Sequence, residues 1–351
     1  MSKVKAYAAL EEKGKLVPWE FEQRPMREND VIIDILYAGI CHSDIHNVNG
    51  DWGSNKDNFP MVPGHEIVGK VVKVGSSVSK FKVGDLAAIG CMVDSCQHCN
   101  PCEHDLEQYC ENGATLTYHS KDRIDGSTTY GGYSQQIISR EEFVLKVPSN
   151  LDLKAVAPIL CAGITTWSPL RHWNIKKGDN VAVIGLGGLG HMAIKLAHAL
   201  GANVSLFSRS PNKEKDAKDL GANEVIISTN EVKMQSVKGK FDLIIDTVPY
   251  KHDLKPYINT LSVNGTLVIV GYLGDADDIL NTVPLIMGRK SVAGSVIGGI
   301  KETQELLDFC GKHNIVSEVE MINIQDINTA YERMMKSDVK YRFVIDINSL
   351  K

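Results

Sequence analysis

The rhythm of apolar and polar positions changes once along this chain, near residues 151–167. Before that point, short apolar or β-branched runs at Val31–Leu36, Ile67–Val74 and Leu86–Ile89 are punctuated by Gly75, Gly84 and Gly90, the pattern of strands separated by turns. No long helical period interrupts them. From Asn180 onward strands and helices alternate: a strand Val181–Ile184, a helix His191–Leu200, a strand Val204–Phe207, a helix Pro211–Leu220, then strands Val225–Ser228, Phe241–Asp246 and Thr266–Val270. Continuous apolar strands alternating with helices predict a doubly wound parallel sheet covered on both faces. Helices at Glu302–Cys310 and Ile327–Met335 and a strand Arg342–Ile347 follow, with no repeats or low-complexity tracts. The expected class is α/β, with a nucleotide-binding domain over 151–299 inserted between the two parts, 1–150 and 300–351, of a β-rich domain.

Length and composition fit this division. The chain has 351 residues, 43% of them hydrophobic and 23% charged, more than one ordinary core accommodates. A formal net charge of −5 gives no general attraction to nucleic acid or anionic membrane. No apolar stretch reaches the roughly 18 residues of a bilayer span. The opening Met-Ser-Lys-Val-Lys-Ala-Tyr has no apolar region behind its charges, so no signal peptide is expected and the expected location is the cytoplasm.

That setting decides how the eight cysteines are read. Cys96, Cys99, Cys102 and Cys110 crowd into 15 residues, and in a reducing compartment such a cluster points to thiolate ligation rather than disulfides. Four sulfurs at this spacing suit tetrahedral Zn²⁺ and leave no open position, so the expected site is structural. An iron–sulfur cluster would need an electron-transfer role that nothing else here supports.

Val181-Ala-Val-Ile-Gly-Leu-Gly-Gly-Leu-Gly190 sets Gly185, Gly187 and Gly190 after a buried strand and before a helix, with Gly188 and Leu189 in the same turn. In that context G-x-G-x-x-G is a dinucleotide site, where the glycines permit the tight turn and close approach to the pyrophosphate. At the end of the second strand an NAD enzyme usually carries Asp or Glu for the ribose hydroxyls. Here the segment runs Phe207-Ser208-Arg209-Ser210-Pro211-Asn212-Lys213, with two cations and no acid. Ser210-Pro211 reads as an N-cap and first helical residue, which sets Lys213 in a first turn where the macrodipole disfavours a cation. A 2′-phosphate reverses that penalty and can take hydrogen bonds from Ser208, Arg209, Ser210 and Lys213, so NADP is expected.

Cys41-His42-Ser43-Asp44-Ile45-His46, Gly64-His65-Glu66 and Cys161 hold further ligand types. Taken singly, each reads as an ordinary core cysteine or packed histidine. Together, Cys41, His65 and Cys161 make a Cys₂His set with one position left for water or substrate, although spacing alone does not select them.

These stretches resemble the zinc-containing medium-chain alcohol dehydrogenases, in particular the cinnamyl alcohol dehydrogenase branch, nearly end to end. The resemblance rests most on Gly39-Ile-Cys-His-Ser-Asp, Pro63-Gly-His-Glu-Ile-Val-Gly, Gly90-Cys-Met-Val-Asp-Ser-Cys, the cysteine cluster, Leu160-Cys-Ala-Gly-Ile-Thr-Thr, Asp246-Thr-Val-Pro and Gly288-Arg-Lys. It implies a GroES-like catalytic domain around a Rossmann domain, two zinc ions per chain, NADP, and a homodimer. It implies Cys41, His65 and Cys161 as catalytic zinc ligands, Glu66 as an acid that approaches the metal, and Asp44 as the carboxylate orienting a ligand histidine. Ser43 corresponds to the hydroxyl at the substrate oxygen and His46 to the outer proton-relay group. Thr165, Ser295 and Ile297 are further expected cofactor contacts, and His42 stands where it either approaches the pyrophosphate or is simply a surface residue. The substrate pocket is expected to draw on Trp52, Thr115, Val296 and Ile297, with Pro284 and Met287 nearby. Plant members carry a large aromatic where Thr115 aligns and a smaller aliphatic where Trp52 aligns, which favours a broad range of aromatic and medium aliphatic aldehydes over a lignin precursor. Cys91 and Cys310 are expected to be buried as small apolar residues. The competing readings are an NAD-linked polyol or short-chain alcohol dehydrogenase, and a zinc- and nucleotide-binding protein without catalysis.

Overall fold

The computed structural model describes residues 3–53, 56–271, 274 and 282–351. The chain divides into two compact units, Met1–Cys161 with Gly298–Lys351, and Ala162–Ile297. The short helical turns Leu153–Val156 and Ala157–Leu160 fold with the first unit.

The first unit is built on β1 (Lys3–Ala9), β2 (Leu16–Glu22), β3 (Asp30–Gly39), β4 (Ile67–Val74), β5 (Leu86–Ile89), β6 (Met92–Asp94), β7 (Thr115–Leu116), β8 (Gln136–Arg140) and β9 (Leu145–Lys146). β1 and β2 form a hairpin. The apolar pattern passed over it because charges alternate along Lys3-Val-Lys and Glu20-Phe-Glu, and Pro18 interrupts the second strand. β3 pairs antiparallel with both β4 and β8, and β4 continues to β5 and β9.

The second unit holds β10 (Asn180–Ile184), β11 (Asn203–Ser208), β12 (Glu224–Ile227), β13 (Phe241–Asp246), β14 (Leu261–Ile269) and β15 (Ser291–Gly294). They form one parallel sheet in the order β12-β11-β10-β13-β14-β15. Val181–Ile184 and Val204–Phe207 are buried without a break, as strands covered by helices on both faces must be. Below them Phe207 meets Phe241 and Tyr257 edge-on, ring centres 5.4 and 5.1 Å apart. The chain then returns to the first unit with β16 (Val319–Asn323) and β17 (Arg342–Asp346), joined by the helix Ile327–Met335 as a parallel pair, and β17 adds to the edge of β3.

Two segments depart from the helices expected. Pro211–Lys213 is a 3₁₀ turn and the α-helix proper begins at Glu214 and ends at Asp219. Ser210 stands at the N-cap of that turn with extended backbone and Pro211 follows as its first residue, as expected, but its hydroxyl donates to Asn212 Oδ1 at 2.6 Å rather than capping a backbone N–H. The buried helix Ala162–His172, unmarked in the sequence reading, carries Pro169 and is held by packing rather than by propensity.

Candidate metal centres and nucleotide-binding elements

Strand pairing alone gathers the residues around Cys41. β3 ends at Gly39, and the register Ala38↔Ile67 sets the residues after β3 beside those preceding β4. Gly39 N–H donates to the Glu66 carbonyl at 2.8 Å and Ile40 N–H to the Phe343 carbonyl at 3.0 Å. His65 and Glu66 therefore lie against Cys41, with Arg342 entering from the start of β17. The turn Ala157–Leu160 packs on β3, β4, β5 and β17 and delivers Cys161 to the same point. Candidate ligand atoms of Cys41, His65, Glu66 and Cys161 all lie within 4.8 Å of one another, and all four residues are buried. A side chain at position 39 would collide with the Glu66 carboxylate, its Cβ only 1.9 Å from Oε2, so glycine there makes room for the acid.

Asp44, fully buried, ties the cluster together. It accepts from Cys41 N–H at 2.9 Å, Gly64 N–H at 3.1 Å and the Tyr133 hydroxyl at 3.0 Å, and Tyr331 reaches Tyr133 behind it. His65 Nδ1 lies 3.0 Å from Asp44 Oδ1. A carboxylate can only accept there, so Nδ1 carries a proton and Nε2 is the nitrogen left to face a metal. Burial would lower the His65 pKa, but Asp44, followed by the thiols of Cys91 and Cys41, outweighs it and raises it well above 6.5. Cys41 and Cys161, with sulfurs 3.9 Å apart, share a proton unequally: the contact with Cys161, aided by Arg342, holds Cys41 well down, while Cys161 is pushed up by Cys41. Glu66 is raised to about 7 by burial, against the pull of Arg342. Its Oε1 accepts from Arg342 Nη2, while buried Oε2 has no partner. Two thiols, an aligned imidazole and an orphaned carboxylate oxygen fit a borderline-soft divalent cation such as zinc.

The helix His42–Asn49 places the remaining polar groups. Ser43 Oγ is 3.6 Å from Cys41 Sγ. His46, one turn on, has Nδ1 2.7 Å from Asp51 Oδ2, and Trp52, half exposed, stacks obliquely with ring centres 5.3 Å apart. His42 is half-buried. Arg342, Tyr133, Tyr331 and Asp51 escaped the sequence reading; only Asp51, five residues from His46, is near enough in sequence to have given a signal.

Thr115 stands at the start of β7. It is buried and lines a cavity of about 400 Å³ with Phe21, Arg24, Thr117, Asp122 and Arg140. That cavity includes none of Cys41, His65, Glu66 or Cys161. Alternation along β7 turns the next residue, Leu116, outward.

The second thiol set is local. The Cys96, Cys99, Cys102 and Cys110 sulfurs also lie within 4.8 Å of one another. The short helix Asn100–Glu103 and the turn Glu107–Tyr109 carry the chain around them. Cys96 N–H donates to Cys110 Sγ at 3.5 Å and Glu111 N–H to Cys99 Sγ at 3.4 Å. A backbone hydrogen bond from His98 lowers Cys96 to about 5, whereas burial pushes Cys102 up to about 12. A divalent cation is what allows four such thiols to ionise together. Of the other two cysteines, Cys310 is fully buried and Cys91 only partly.

In the second unit, Gly185 turns with φ +90° at the end of β10, and the helix Gly190–Ala199 begins at the third glycine. A Cβ on Gly190 would lie 2.1 Å from the Gly185 carbonyl, whereas one on Gly187 would meet nothing within 4 Å. The first glycine contact closes the turn; the open position leaves room for a ligand. Gly188 and Leu189 complete that turn, partly exposed. Beyond β11, Ser208 Oγ donates to the Ser210 carbonyl at 2.9 Å, Arg209 is exposed and Lys213 half-buried. No carboxylate among the described residues pairs with Arg209 or Lys213. Thr165 is buried on the helix Ala162–His172; Ser295, Val296 and Ile297 follow β15, and Ser295 N–H donates to the Ile269 carbonyl at 3.1 Å.

Residues 27–149 match the alcohol dehydrogenase GroES-like domain, and residues 188–312 the zinc-binding dehydrogenase family. The chain is 50% identical over 349 residues to the aldehyde reductase YahK of Escherichia coli, covering 99% of each. Its structure superposes on a cinnamyl alcohol dehydrogenase of Sorghum bicolor with a TM-score of 0.94 and 39% identity, covering 100% of this chain and 99% of the other. It superposes on a Helicobacter pylori cinnamyl alcohol dehydrogenase complexed with NADP(H) with a TM-score of 0.91 and 42% identity, covering 99% and 98%. With its GroES-like part, its parallel nucleotide-binding sheet and two convergent ligand sets, the chain belongs to the zinc-containing medium-chain alcohol dehydrogenases and is an oxidoreductase.

Proposed function

We propose that the chain is a zinc-dependent alcohol dehydrogenase and aldehyde reductase passing hydride between NADP(H) and a primary alcohol/aldehyde pair, with aromatic and medium aliphatic aldehydes as its range. The observation that carries this reading is the buried convergence of Cys41, His65, Glu66 and Cys161, with His65 oriented by Asp44 and the Ser43 hydroxyl alongside. Zinc held there supplies a Lewis acid for a carbonyl oxygen and makes ionisation of an alcohol feasible near neutral pH. Ser43 Oγ gives the proton to the nascent alcohol oxygen in reduction and takes it back in oxidation. His46 relays that proton from solvent in reduction and to solvent in oxidation while Asp51 holds its Nδ1. Cys96, Cys99, Cys102 and Cys110 hold the second, structural zinc.

In this reading 151–299 carry the cofactor, apart from the turns through Cys161 that fold with the first unit, and that unit carries the chemistry. Gly185, Gly187, Gly188, Leu189 and Gly190 cradle the pyrophosphate; Ser208, Arg209, Ser210 and Lys213 take the 2′-phosphate; Thr165, Ser295 and Ile297 are further cofactor contacts. Arg209 and Lys213, with no carboxylate partner among the described residues and no acid from Ser208 to Lys213, support NADP over NAD, and the NADP(H) complex of the Helicobacter relative points the same way. Trp52, Thr115 and Val296 are the residues proposed to select the substrate. A homodimer is the proposed assembly: Val283, Ile286 and Met287 are 60%, 75% and 80% exposed, and β15 is a sheet edge. Sedimentation equilibrium showing a monomer at micromolar concentration would remove it.

The test is to mix zinc-loaded protein with benzaldehyde or cinnamaldehyde and follow oxidation of NADPH and, separately, NADH. Fast NADPH turnover with little NADH turnover is expected. Faster NADH turnover would overturn the cofactor, and no turnover with two zincs bound would overturn catalysis.

A further inference from the structure

In a doubly wound sheet the ligand crevice opens where the strand order reverses, here between β10 and β13. The segment that leaves β13 over that crevice runs Thr247-Val-Pro-Tyr-Lys-His-Asp253. Arg209, beyond the end of β11, reaches across to it: Nη2 donates to the Tyr250 hydroxyl at 3.1 Å, and the guanidinium carbon lies 5.8 Å from the Tyr250 ring centre. These are the contacts of a cation held by an aromatic rather than by an acid. An acid would cancel the charge that an anion needs; an aromatic ring restrains the side chain and leaves the charge intact.

Tyr250 is itself restrained. Asp246, fully buried at the end of β13, accepts from Val248 N–H at 3.2 Å through Oδ1, and its Oδ2 is 3.1 Å from His252 Nε2. His252 Nδ1 is 3.0 Å from the Tyr250 carbonyl. The Nδ1 contact is a hydrogen bond to an oxygen that only accepts, whereas the Nε2 contact is close in distance but off hydrogen-bond geometry, so it acts as an ion pair. The Asp246 carboxylate raises the His252 pKa, against burial. The chain of contacts runs from the sheet through Asp246 and His252 to the Tyr250 backbone, and from the Tyr250 side chain to Arg209.

We propose that Tyr250 is the positioning residue for discrimination of the cofactor 2′-phosphate, holding Arg209 extended and uncancelled at the end of β11, with the His252–Asp246 pair fixing its loop. This rests on the NADP reading above. An arginine restrained before binding loses less side-chain entropy on meeting a phosphate, so the gain falls on the 2′-phosphate and not on the rest of the nucleotide.

The test is calorimetric titration of the zinc-loaded protein with adenosine 2′,5′-bisphosphate and with 5′-AMP. Tyr250→Phe keeps the ring and removes the acceptor oxygen; Tyr250→Ala removes both; Arg209→Ala and the double variant Arg209→Ala/Tyr250→Phe complete a cycle. Tyr250→Phe is expected to weaken the bisphosphate about threefold and Tyr250→Ala about tenfold, with 5′-AMP affinity unmoved. On the Arg209→Ala background Tyr250→Phe should have no further effect. Equal weakening of both ligands, or losses from Arg209 and Tyr250 that simply add, would overturn the positioning role. A wild-type protein that binds the two ligands equally would instead overturn the NADP reading, and the clamp with it. Because Tyr250→Phe preserves packing, it decides the matter even if Tyr250→Ala does not fold.

Discussion

Two thiol-bearing sites share one unit of this protein and are built in opposite ways. Cys96, Cys99, Cys102 and Cys110 come from one continuous stretch, are joined by tight turns, and take their hydrogen bonds largely from nearby backbone N–H groups. Cys41 and Cys161 are 120 residues apart, and the ends of β3, β4 and β17 must all be in register before they meet His65, Glu66 and Arg342. The local site contains only sulfur ligands. The dispersed one mixes sulfur, imidazole and carboxylate, keeps an oxygen of Glu66 without a partner, and has Ser43 alongside. A closed site can be written into a short loop, whereas a site meant to react needs different groups arriving from different elements, each fixed by the fold.

Removing a ligand from the open site separates the two most sharply. His65→Ala should cost at least about a thousandfold in aldehyde reduction, the loss of several kcal/mol of electrophilic assistance, while zinc content falls from two ions per chain to one. Activity within tenfold of wild type would end the assignment of roles. Next in size, Arg342→Ala strands a buried carboxylate. It should cost about 3–5 kcal/mol in urea unfolding, and the joint replacement Glu66→Gln/Arg342→Met should recover most of it. No recovery would mean that Arg342 supports β17 rather than Glu66.

Cys99→Ser addresses the closed site and should act on stability: roughly 2–4 kcal/mol lost, with one zinc retained and turnover at low temperature largely kept. Turnover lost without a fall in thermal midpoint would reverse the contrast. The smallest effect is expected at Asp44→Asn, which keeps the size of the side chain but not its charge. About 10–100-fold in zinc affinity or activity should go, confined to the open site and visible by competition with a chelator. Equal loss of zinc from both sites would make Asp44 a general structural residue.

How much was legible follows the same division. The cysteine spacing Cys96-x2-Cys99-x2-Cys102, the strand–glycine–helix run Val181–Gly190 and the acid-free segment Ser208–Lys213 were open to reading because each ligand or contact lies within a few residues of the next. The parallel sheet was legible because strands buried on both faces leave unbroken apolar runs. The β1–β2 hairpin and the helix Ala162–His172 were not, since charges and Pro169 mask elements that packing stabilises. Cys41, His65 and Cys161 were named by resemblance, not by spacing.

By itself, then, the sequence determined the periods of its strands and helices, the local thiol set, and the glycine turn at the head of the nucleotide-binding helix, all governed by distances along the backbone. Only the tertiary structure decided that Arg342 faces Glu66, that Tyr133 and Tyr331 stand behind Asp44, that Thr115 lines a cavity with Arg24 and Arg140, and that Tyr250 meets Arg209. Those pairings depend on strand register and on loops crossing between strands, and neither leaves a periodic trace in the order of residues.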